Sequence, residues 1–479
     1  MTLSKQLVLL FIFFSLFGCG RKGSDEGVGV TVVPSFFKLP SGGEAQFSAD
    51  VSGTLNKEVT WEVSGPLGTS ISSGGLFRAP LNAGGQTATV RAVSQDDPNT
   101  FGNAAVTMTS FSKVLGETIP AGSDRVVVGG YTIRAGQTID LNEDNTLDLV
   151  SMSPSGNLAA IYLGIGNGLF RKQAEIAVSE PSAMTMGDFV NSEDFVADVA
   201  IASRSERTVK IVSGEAGSAN SPFVVDANKT KILSLPGVTP SALAAGRFHG
   251  DVESRNSDLV VGTDEGAMIL FLQDRLTDSF TAQPAVAVSG KITQMVAADL
   301  NGDDLLDLAV LHEGAGDVLI FLGDGAGAFS GSISVSFASP PASIAVGDFN
   351  GDERNDLAAA HAGSNQVSIS LGKGDGTFEL PLYKSVESAP ASISVGDFNL
   401  GGGTDIAVAL PASKAVLILF NDGAGNLIGN FRYDTGVAPL SLVPGFFTTF
   451  DNPQGFQSVG LIYISATESK FHLLNNVSF

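Results

Sequence analysis

The sequence predicts an all-β chain in which a β-sandwich is followed by a seven-bladed β-propeller. An acidic nonapeptide recurs at a nearly constant interval, short β-rich runs fill the space between its copies, and no run of the 479 residues reads as an amphipathic helix. The clearest copy is Asp299-Leu-Asn301-Gly-Asp303-Asp-Leu-Leu-Asp307. Asp348-Phe-Asn350-Gly-Asp352-Glu-Arg-Asn-Asp356 repeats it, and Asp140-Leu-Asn142-Glu-Asp144-Asn-Thr-Leu-Asp148 anticipates it. Asp397-Phe-Asn399-Leu-Gly-Gly-Gly-Thr-Asp405 keeps the spacing without the middle acid, and Asp188 to Asp198 carries a two-residue insertion. Gly246-Arg-Phe-His249 and Gly445-Phe-Phe-Thr448 keep only the frame. The anchors fall at 140, 188, 247, 299, 348, 397 and 446, spaced by 48, 59, 52, 49, 49 and 49 residues, which makes seven units.

Within the best unit the runs are Leu308 to His312, Val318 to Leu322, Ser332 to Phe337 and Ser343 to Val346, with a Gly-rich turn from Gly323 to Phe329. Such runs, punctuated by Gly, Asp, Asn and Pro, predict a four-stranded antiparallel meander. A meander of this size cannot bury its faces alone, so successive copies are expected to stack around an axis as propeller blades. After the last anchor only Val459 to Ile464 and Lys470 to Leu474 remain, so the seventh blade lacks strands. Arg125 to Val128 and Tyr131 to Ile133, upstream of the first anchor, are expected to pair with it, closing the ring and hiding two edges.

Side-chain oxygens at positions 1, 3, 5 and 9 of a tight loop are what a hard cation needs. Three Asp and one Asn suit Ca²⁺, whereas Mg²⁺ demands a stricter octahedron, and the lack of His and Cys speaks against zinc or copper. The alternative is a set of solvated Asp/Asn turns whose side chains cap their own backbone. Metal held in separate blades is expected to be structural, because a catalytic ion needs an open position beside a substrate pocket.

Gly347-Asp-Phe-Asn-Gly-Asp352 with Asp356-Leu-Ala358, then Leu371-Gly-Lys-Gly-Asp-Gly-Thr-Phe378, resembles the FG-GAP/VCBS repeat, the blade unit of integrin α-subunit propellers and of many bacterial surface proteins. Leu163 to Phe170 and Leu322 to Phe329 add to the resemblance, which covers about residues 113 to 479. It implies about three structural Ca²⁺ ions. Their side-chain ligands would be Asp140, Asn142, Asp144 and Asp148, then Asp299, Asn301, Asp303 and Asp307, then Asp348, Asn350, Asp352 and Asp356. The position-7 carbonyls would be those of Thr146, Leu305 and Arg354. Asp397, Asn399 and Asp405 form a weaker candidate. Extracellular Ca²⁺ modules bind with dissociation constants of about 10⁻⁴ to 10⁻³ M, so such sites would fill only outside the cytoplasm.

The amino terminus points outside. Met1 to Lys5 is a short basic start, Leu7 to Phe14 is apolar, and Leu16-Phe-Gly-Cys19 ends the stretch, which is too short for a membrane span and reads as a signal segment. The tetrapeptide resembles a bacterial lipoprotein box, which implies cleavage after residue 18 and lipidation of Cys19, the single cysteine of the chain. Gly20 in place of an Asp implies the outer membrane. Residues 19–27 form a polar tether. From 28 to 112, alternating runs at Val30 to Val33, Ala45 to Val51, Val59 to Val63, Thr87 to Val93 and Ala104 to Thr109 predict the sandwich. Val59-Thr-Trp-Glu-Val63 with Gly74-Gly-Leu-Phe-Arg-Ala-Pro80 resembles bacterial Ig-like domains and makes Trp61 a core residue. Asp50-Val-Ser52-Gly-Thr54 fits a DxSxT metal pattern but reads as strand and turn. The propeller is assigned to residues 113–479.

A net charge of −23 argues against nucleic acid or an anionic membrane surface as a direct partner. No catalytic constellation emerges: His249, His312, His361 and His472 fall in different units, and His312 and His361 occupy one repeat position. Phe349, Phe378 and Phe398 likewise recur as core positions. The expected function is therefore that of a lipid-anchored envelope protein, not an enzyme, whose Ca²⁺-stabilised propeller serves protein interaction or adhesion. The alternatives are a lectin-like propeller or an enzyme acting on an extracellular polymer. The units around Asn191 to Asp198 and Asn220 to Lys231 depart most from the repeat and are expected to form the specific surface, facing either the periplasm or the exterior.

Overall fold

The computed structural model describes residues 27–118, 125–128, 141, 148–165, 169–190, 197–213, 229–250, 257–274, 276–399, 401–446, 459–465 and 470–477. Outside them lie Cys19 with the signal segment, Asp140, Asn142, Asp144 and Thr146 of the first loop, Tyr131 to Ile133, and most of the two divergent segments at 191–198 and 220–231. Among the described residues every regular element is a strand, and no helix is long and apolar enough to cross a membrane.

Among the described residues, seven sheets follow one another from Arg125 to Val477. The fourth stands for the others: Ile292–Ala298, Asp307–His312, Asp317–Gly323 and Phe329–Ser336 run antiparallel in chain order. The first strands of the seven are Arg125–Val128, Pro181–Gly187, Pro240–Gly246, Ile292–Ala298, Ser343–Gly347, Ser392–Gly396 and Pro439–Phe446. Each of these contacts the next, and Pro439–Phe446 contacts Arg125–Val128, so the succession returns to its start.

The second strand of each sheet is apolar along its middle, with polar residues mainly at its ends, because it is buried on both faces. Side chains alternate along a strand, so Leu308 and Val310 pack toward the third sheet while Ala309 and Leu311 pack toward the fifth. Every apolar cluster of the array lies between neighbouring sheets in this way, and one joins Ile462, Ile464 and Leu473 of the last to Leu149, Ala160 and Tyr162 of the first. Each Val, Leu or Ile among them contributes roughly 1.5–3 kcal/mol on leaving water.

Two expectations are corrected. The repeat read from the sequence begins at the acidic loop, whereas each sheet begins one strand earlier, with the loop between its first and second strands. Ser343–Gly347 thus opens the fifth sheet rather than completing the fourth. The same offset changes the closing strand. Arg125–Val128 pairs with Leu149–Ser153 as the first strand of the first sheet, so the vacancy beside Lys470–Val477 is filled by a segment further upstream. That segment is Ser110 to Thr118, the second half of the strand Phe101–Thr118, with Ser110 opposite Val477 and Thr118 opposite Lys470.

The first half of Phe101–Thr118 belongs to the amino-terminal module. It pairs with Thr87–Ser94 on one side and, in parallel, with Phe36–Pro40 on the other. The boundary drawn at residue 112 therefore falls inside a continuous strand. The expected strand Ala45 to Val51 is broken at Phe47, whose amide donates to the Gly75 carbonyl (2.9 Å) and whose buried ring meets Phe77 edge-on at 6.2 Å. On either side of the break, Glu44–Gln46 pairs with the outer strand Leu427–Asp434 of the sixth sheet, and Ser48–Ser52 pairs with Gly29–Val33. Asp50 and Ser52 thus sit in a strand with Gly53 turning after them (φ 72°). One apolar cluster unites Leu39, Phe47, Phe77 and Val106 with Phe398, Phe420, Leu461 and Tyr463, and Trp61 packs against it.

Candidate functional site

The two complete acidic loops are built alike. Asp299 accepts the Gly302 amide through Oδ1 (2.7 Å) and the Asp304 amide through Oδ2 (2.8 Å). Asn301 Oδ1 accepts from the Asp303 amide (3.0 Å), Asn301 Nδ2 donates to Asp303 Oδ2 (2.9 Å), and Asp303 Oδ1 accepts from the Leu305 amide (2.9 Å). In the next loop Asp348 accepts from Gly351 and Glu353 at 2.7 and 2.9 Å, and Asp352 Oδ1 accepts from Arg354 at 3.0 Å. Positions 1, 3 and 5 are thus arranged as successive Asx turns. Gly302 and Gly351 take φ of 78° and 75°, a left-handed conformation that glycine adopts without strain, and this lets the loop fold back over its first carboxylate.

The ninth position is different. Asp307 is fully buried, with Oδ2 accepting from the Leu300 amide (2.8 Å) at the start of the loop and Oδ1 from the Gly323 amide (2.9 Å) at the end of the third strand. Asp356 binds Phe349 and Gly372 in the same way (2.8 and 2.7 Å), and Asp148 binds Leu141 and Gly164 (2.8 and 2.9 Å). Asp405 takes Phe398, Asn399 and Asn421, and Asp198 takes Phe189 and Val190. Sequence reasoning missed a sixth member, Asp258, which binds Phe248, His249 and Gln273. Its signal was the acid heading an apolar strand, Asp258-Leu-Val-Val-Gly-Thr263, but the altered loop length before it hid the register. One carboxylate therefore ties three points of a sheet together. Residue 2 of each loop, Phe349, Phe398, Phe189 or Leu300, is the buried anchor beside it.

This geometry repeats where comparison finds a repeat. Residues 299–359 and 348–408 match the FG-GAP-like repeat. The chain carries FG-GAP-like repeats. Among curated proteins none matches it. Of solved structures, the crystal structure of BBS1N in complex with ARL6DN, soaked with mercury, is similar at 12% identity and a TM-score of 0.52, covering 77% of this chain and 97% of that one. Saccharomyces cerevisiae Sqt1 is similar at 10% identity and a TM-score of 0.46, covering 77% and 98%. At 12% identity the likeness to the first of these concerns the fold alone, which is all-β and propeller-like.

Adjacent FG-GAP-like repeats are also joined loop to loop. Asn355 Nδ2 donates to the Asp299 carbonyl (2.8 Å), which sets those two acidic loops side by side, and Asn421 Nδ2, at the end of the sixth sheet's third strand, donates to the Phe349 carbonyl in the loop of the fifth (2.5 Å). Burial pushes Asp307 up to about 6, and the nearby charges of Asp303 and Asp299 push the same way. Asp356 is raised likewise by burial and then by Asp352 and Asp348, and Asp405 well above the usual range by burial and then by Asp397. The acids of each repeat thus converge closely enough to repel one another, which a divalent cation would offset. Among the described residues no three His, Cys, Asp or Glu side chains already form a metal-binding group, because the carboxylates at positions 1 and 5 are turned onto backbone amides. The donor set fits a hard cation: apart from Asp299 Oδ1, which accepts from both the Asn301 and Gly302 amides, each of these carboxylate and amide oxygens accepts one hydrogen bond and retains a second lone pair, and Asp299, Asn301, Asp303, the Leu305 carbonyl and Asp307 are the groups that would hold it.

His312 and His361 are buried at matching positions. His361 Nδ1 lies 2.8 Å from the Ser339 carbonyl and Nε2 2.8 Å from Ser368 Oγ, and His312 Nδ1 contacts the Ser289 carbonyl. Both pin the end of a second strand to the loop preceding their own sheet's first strand.

Proposed function

We propose that this is a lipid-anchored bacterial envelope protein in which an Ig-like sandwich and a seven-bladed, Ca²⁺-stabilised propeller form an interaction or adhesion module. The observation that carries the reading is the closed succession of first strands with two acidic FG-GAP-like loops set side by side. Such a ring is a rigid scaffold presenting many loops, an arrangement suited to protein recognition. The anchor rests on Cys19 after Leu16-Phe-Gly18, and the outer membrane on Gly20.

Calcium is tested through position 5 rather than position 9, because Asp307→Ala would also break the buried clamp. At 5 mM Ca²⁺, dissociation constants of about 10⁻⁴ to 10⁻³ M give roughly 1 to 2 kcal/mol of stabilisation per site. The thermal midpoint should rise with Ca²⁺ in the native chain and rise less in Asp303→Ala; an unchanged midpoint in the native chain removes the metal from the proposal. Function is tested by purifying envelope proteins retained on the chain beside a glycan array. Retention of a defined protein that also binds as a purified partner supports the module. Binding to glycans alone makes it a lectin, and turnover of a polysaccharide or peptide library makes it an enzyme.

A further inference from the structure

We propose that the axis of the ring binds a small sugar acid, with its carboxylate on Arg204 and Lys291 and its hydroxyls on the serines of the first strands. A cavity of about 340 Å³ lies between six consecutive first strands and is lined by Met184, Leu243, Gln294, Ser343, Ser392 and Ser441 among others. At Thr293 it adjoins a second cavity of about 430 Å³ that reaches Ser182, Ser241, Arg204 and Lys291. Both volumes fall within the range of small-ligand sites. The lining is unusually polar for such a site, which selects a polar occupant.

Hydroxyls come from six successive sheets at two adjacent positions: Ser182, Ser241 and Thr293 lie six residues before the anchors of their loops, and Ser343, Ser392 and Ser441 lie five before theirs. Part of their role is structural. Ser182 Oγ donates to the Pro240 carbonyl (2.7 Å), Ser241 Oγ to the Ile292 carbonyl (2.7 Å), and Ser343 Oγ accepts from the Ile393 amide (3.3 Å), so each latches its strand to the next. Gln294 makes the same link with both ends of its amide, to the Ile344 carbonyl and amide (2.8 and 2.9 Å). Latching does not account for Ser392 and Ser441, whose hydroxyls have no such protein partner among the described residues and face the cavity. Of the latched serines, Ser241 only donates and Ser343 accepts a single amide, so both keep acceptor capacity.

The mouth also carries two cations that share one acid. Arg204 grips Asp264 with both Nη atoms (Nη2 to Oδ1 3.2 Å), and Lys291 Nζ lies 3.4 Å from the same Oδ1. One carboxylate thus serves two cations, each with a side chain about one-third exposed (36% and 35%) and with donors to spare. The acid among the residues lining this mouth is Glu180, on the exposed rim. A ligand with one carboxylate and several hydroxyls satisfies both the cation pair and the hydroxyl ring, which neither a bare anion nor a neutral sugar does.

The inference stands on the ring of first strands and not on the proposed protein-binding role, so failure to capture a protein partner leaves it untouched. Calorimetry on the full chain with D-galacturonate is expected to give saturable one-to-one binding, weakened at least tenfold in Lys291→Gln and about threefold or more in Ser441→Ala. The thermal midpoints of both variants should match the native chain. D-Galactose and acetate should each bind at least tenfold more weakly, and trigalacturonate binding as tightly as the monomer would point to a polymer end as the source. No heat at 10 mM galacturonate, equal binding of acetate, or unchanged affinity in Lys291→Gln would each overturn the proposal. Because Lys291 is part-exposed, its variant is expected to fold; loss of the galacturonate signal in 0.5 M NaCl, measured on the native chain, checks the charge dependence independently.

Discussion

Asp356 accepts amides from a loop and from just past the third strand with one buried carboxylate, and Asp148, Asp258, Asp307 and Asp405 link a loop to the third strand in the same way. Asp356→Ala leaves both amides buried and unpaired, at roughly 1 to 3 kcal/mol each. Denaturant unfolding should register that loss with or without Ca²⁺, which separates the clamp from any metal role. This part of the site was only half legible. The acid at position 9 was readable from spacing, yet a cation ligand and an amide acceptor both call for the same residue. Burial and a partner 16 residues further along the chain decided its role. His361 gives a pH test. Burial holds its imidazole below the ordinary histidine range, and its neighbours, Ser339, Ser368 and the rings of Phe337 and Tyr383, carry no charge at neutral pH. The unfolded chain therefore takes up a proton more readily, so this contribution is present above about pH 6.5 and is lost as pH falls below it. The drop in thermal midpoint from pH 7.5 to pH 5 should be smaller in His361→Gln than in the native chain.

The strand Phe101–Thr118 couples two parts of the molecule, because its first half pairs with Thr87–Ser94 and its second with Lys470–Val477. In an antiparallel ladder the amides of consecutive residues point to opposite sides, so Val114→Pro with Leu115→Pro must remove at least one hydrogen bond to the seventh sheet. Proline at that place is expected to cost about 3 kcal/mol or more, by analogy with other interior element positions. Limited proteolysis should then cut near the carboxy terminus first; unchanged resistance would show that the ring does not depend on this strand. Most strands of the repeats were legible to within a few residues, since Leu308-Ala-Val-Leu and its equivalents are apolar runs bounded by Gly and Asp. Phe36–Pro40, Ser70–Ile71 and Leu76–Arg78 were not. They are short, and Phe36–Pro40 is held by parallel pairing with residues far along the chain, with Phe36 itself half exposed.

The amino-terminal module and the sixth and seventh sheets share one apolar cluster, with the Phe37 and Phe420 rings edge-on at 6.2 Å. A sandwich on a linker would melt by itself; one sharing its core should not. Calorimetry is expected to give a single transition for these parts, and Phe37→Ala, at about 3 to 5 kcal/mol, should lower that transition rather than split it. A separate early transition would mean that the shared cluster does not couple them.

By itself the sequence determined the all-β class, the presence of the repeats and their acidic loops, because these follow from local patterns: alternation, Gly and Asx turn chemistry, and recurrence every 49 residues or so. The tertiary structure decided where each sheet begins, which strand completes the last one, that the ninth-position acids are buried clamps, and that the first module is welded to the array rather than tethered to it. Each of these depends on pairings between residues distant in the chain. A strand's own sequence specifies which side chains it must bury but not which neighbour will bury them, so the choice between Arg125–Val128 and Ser110 to Thr118 could be settled only when all the edges were present to compete.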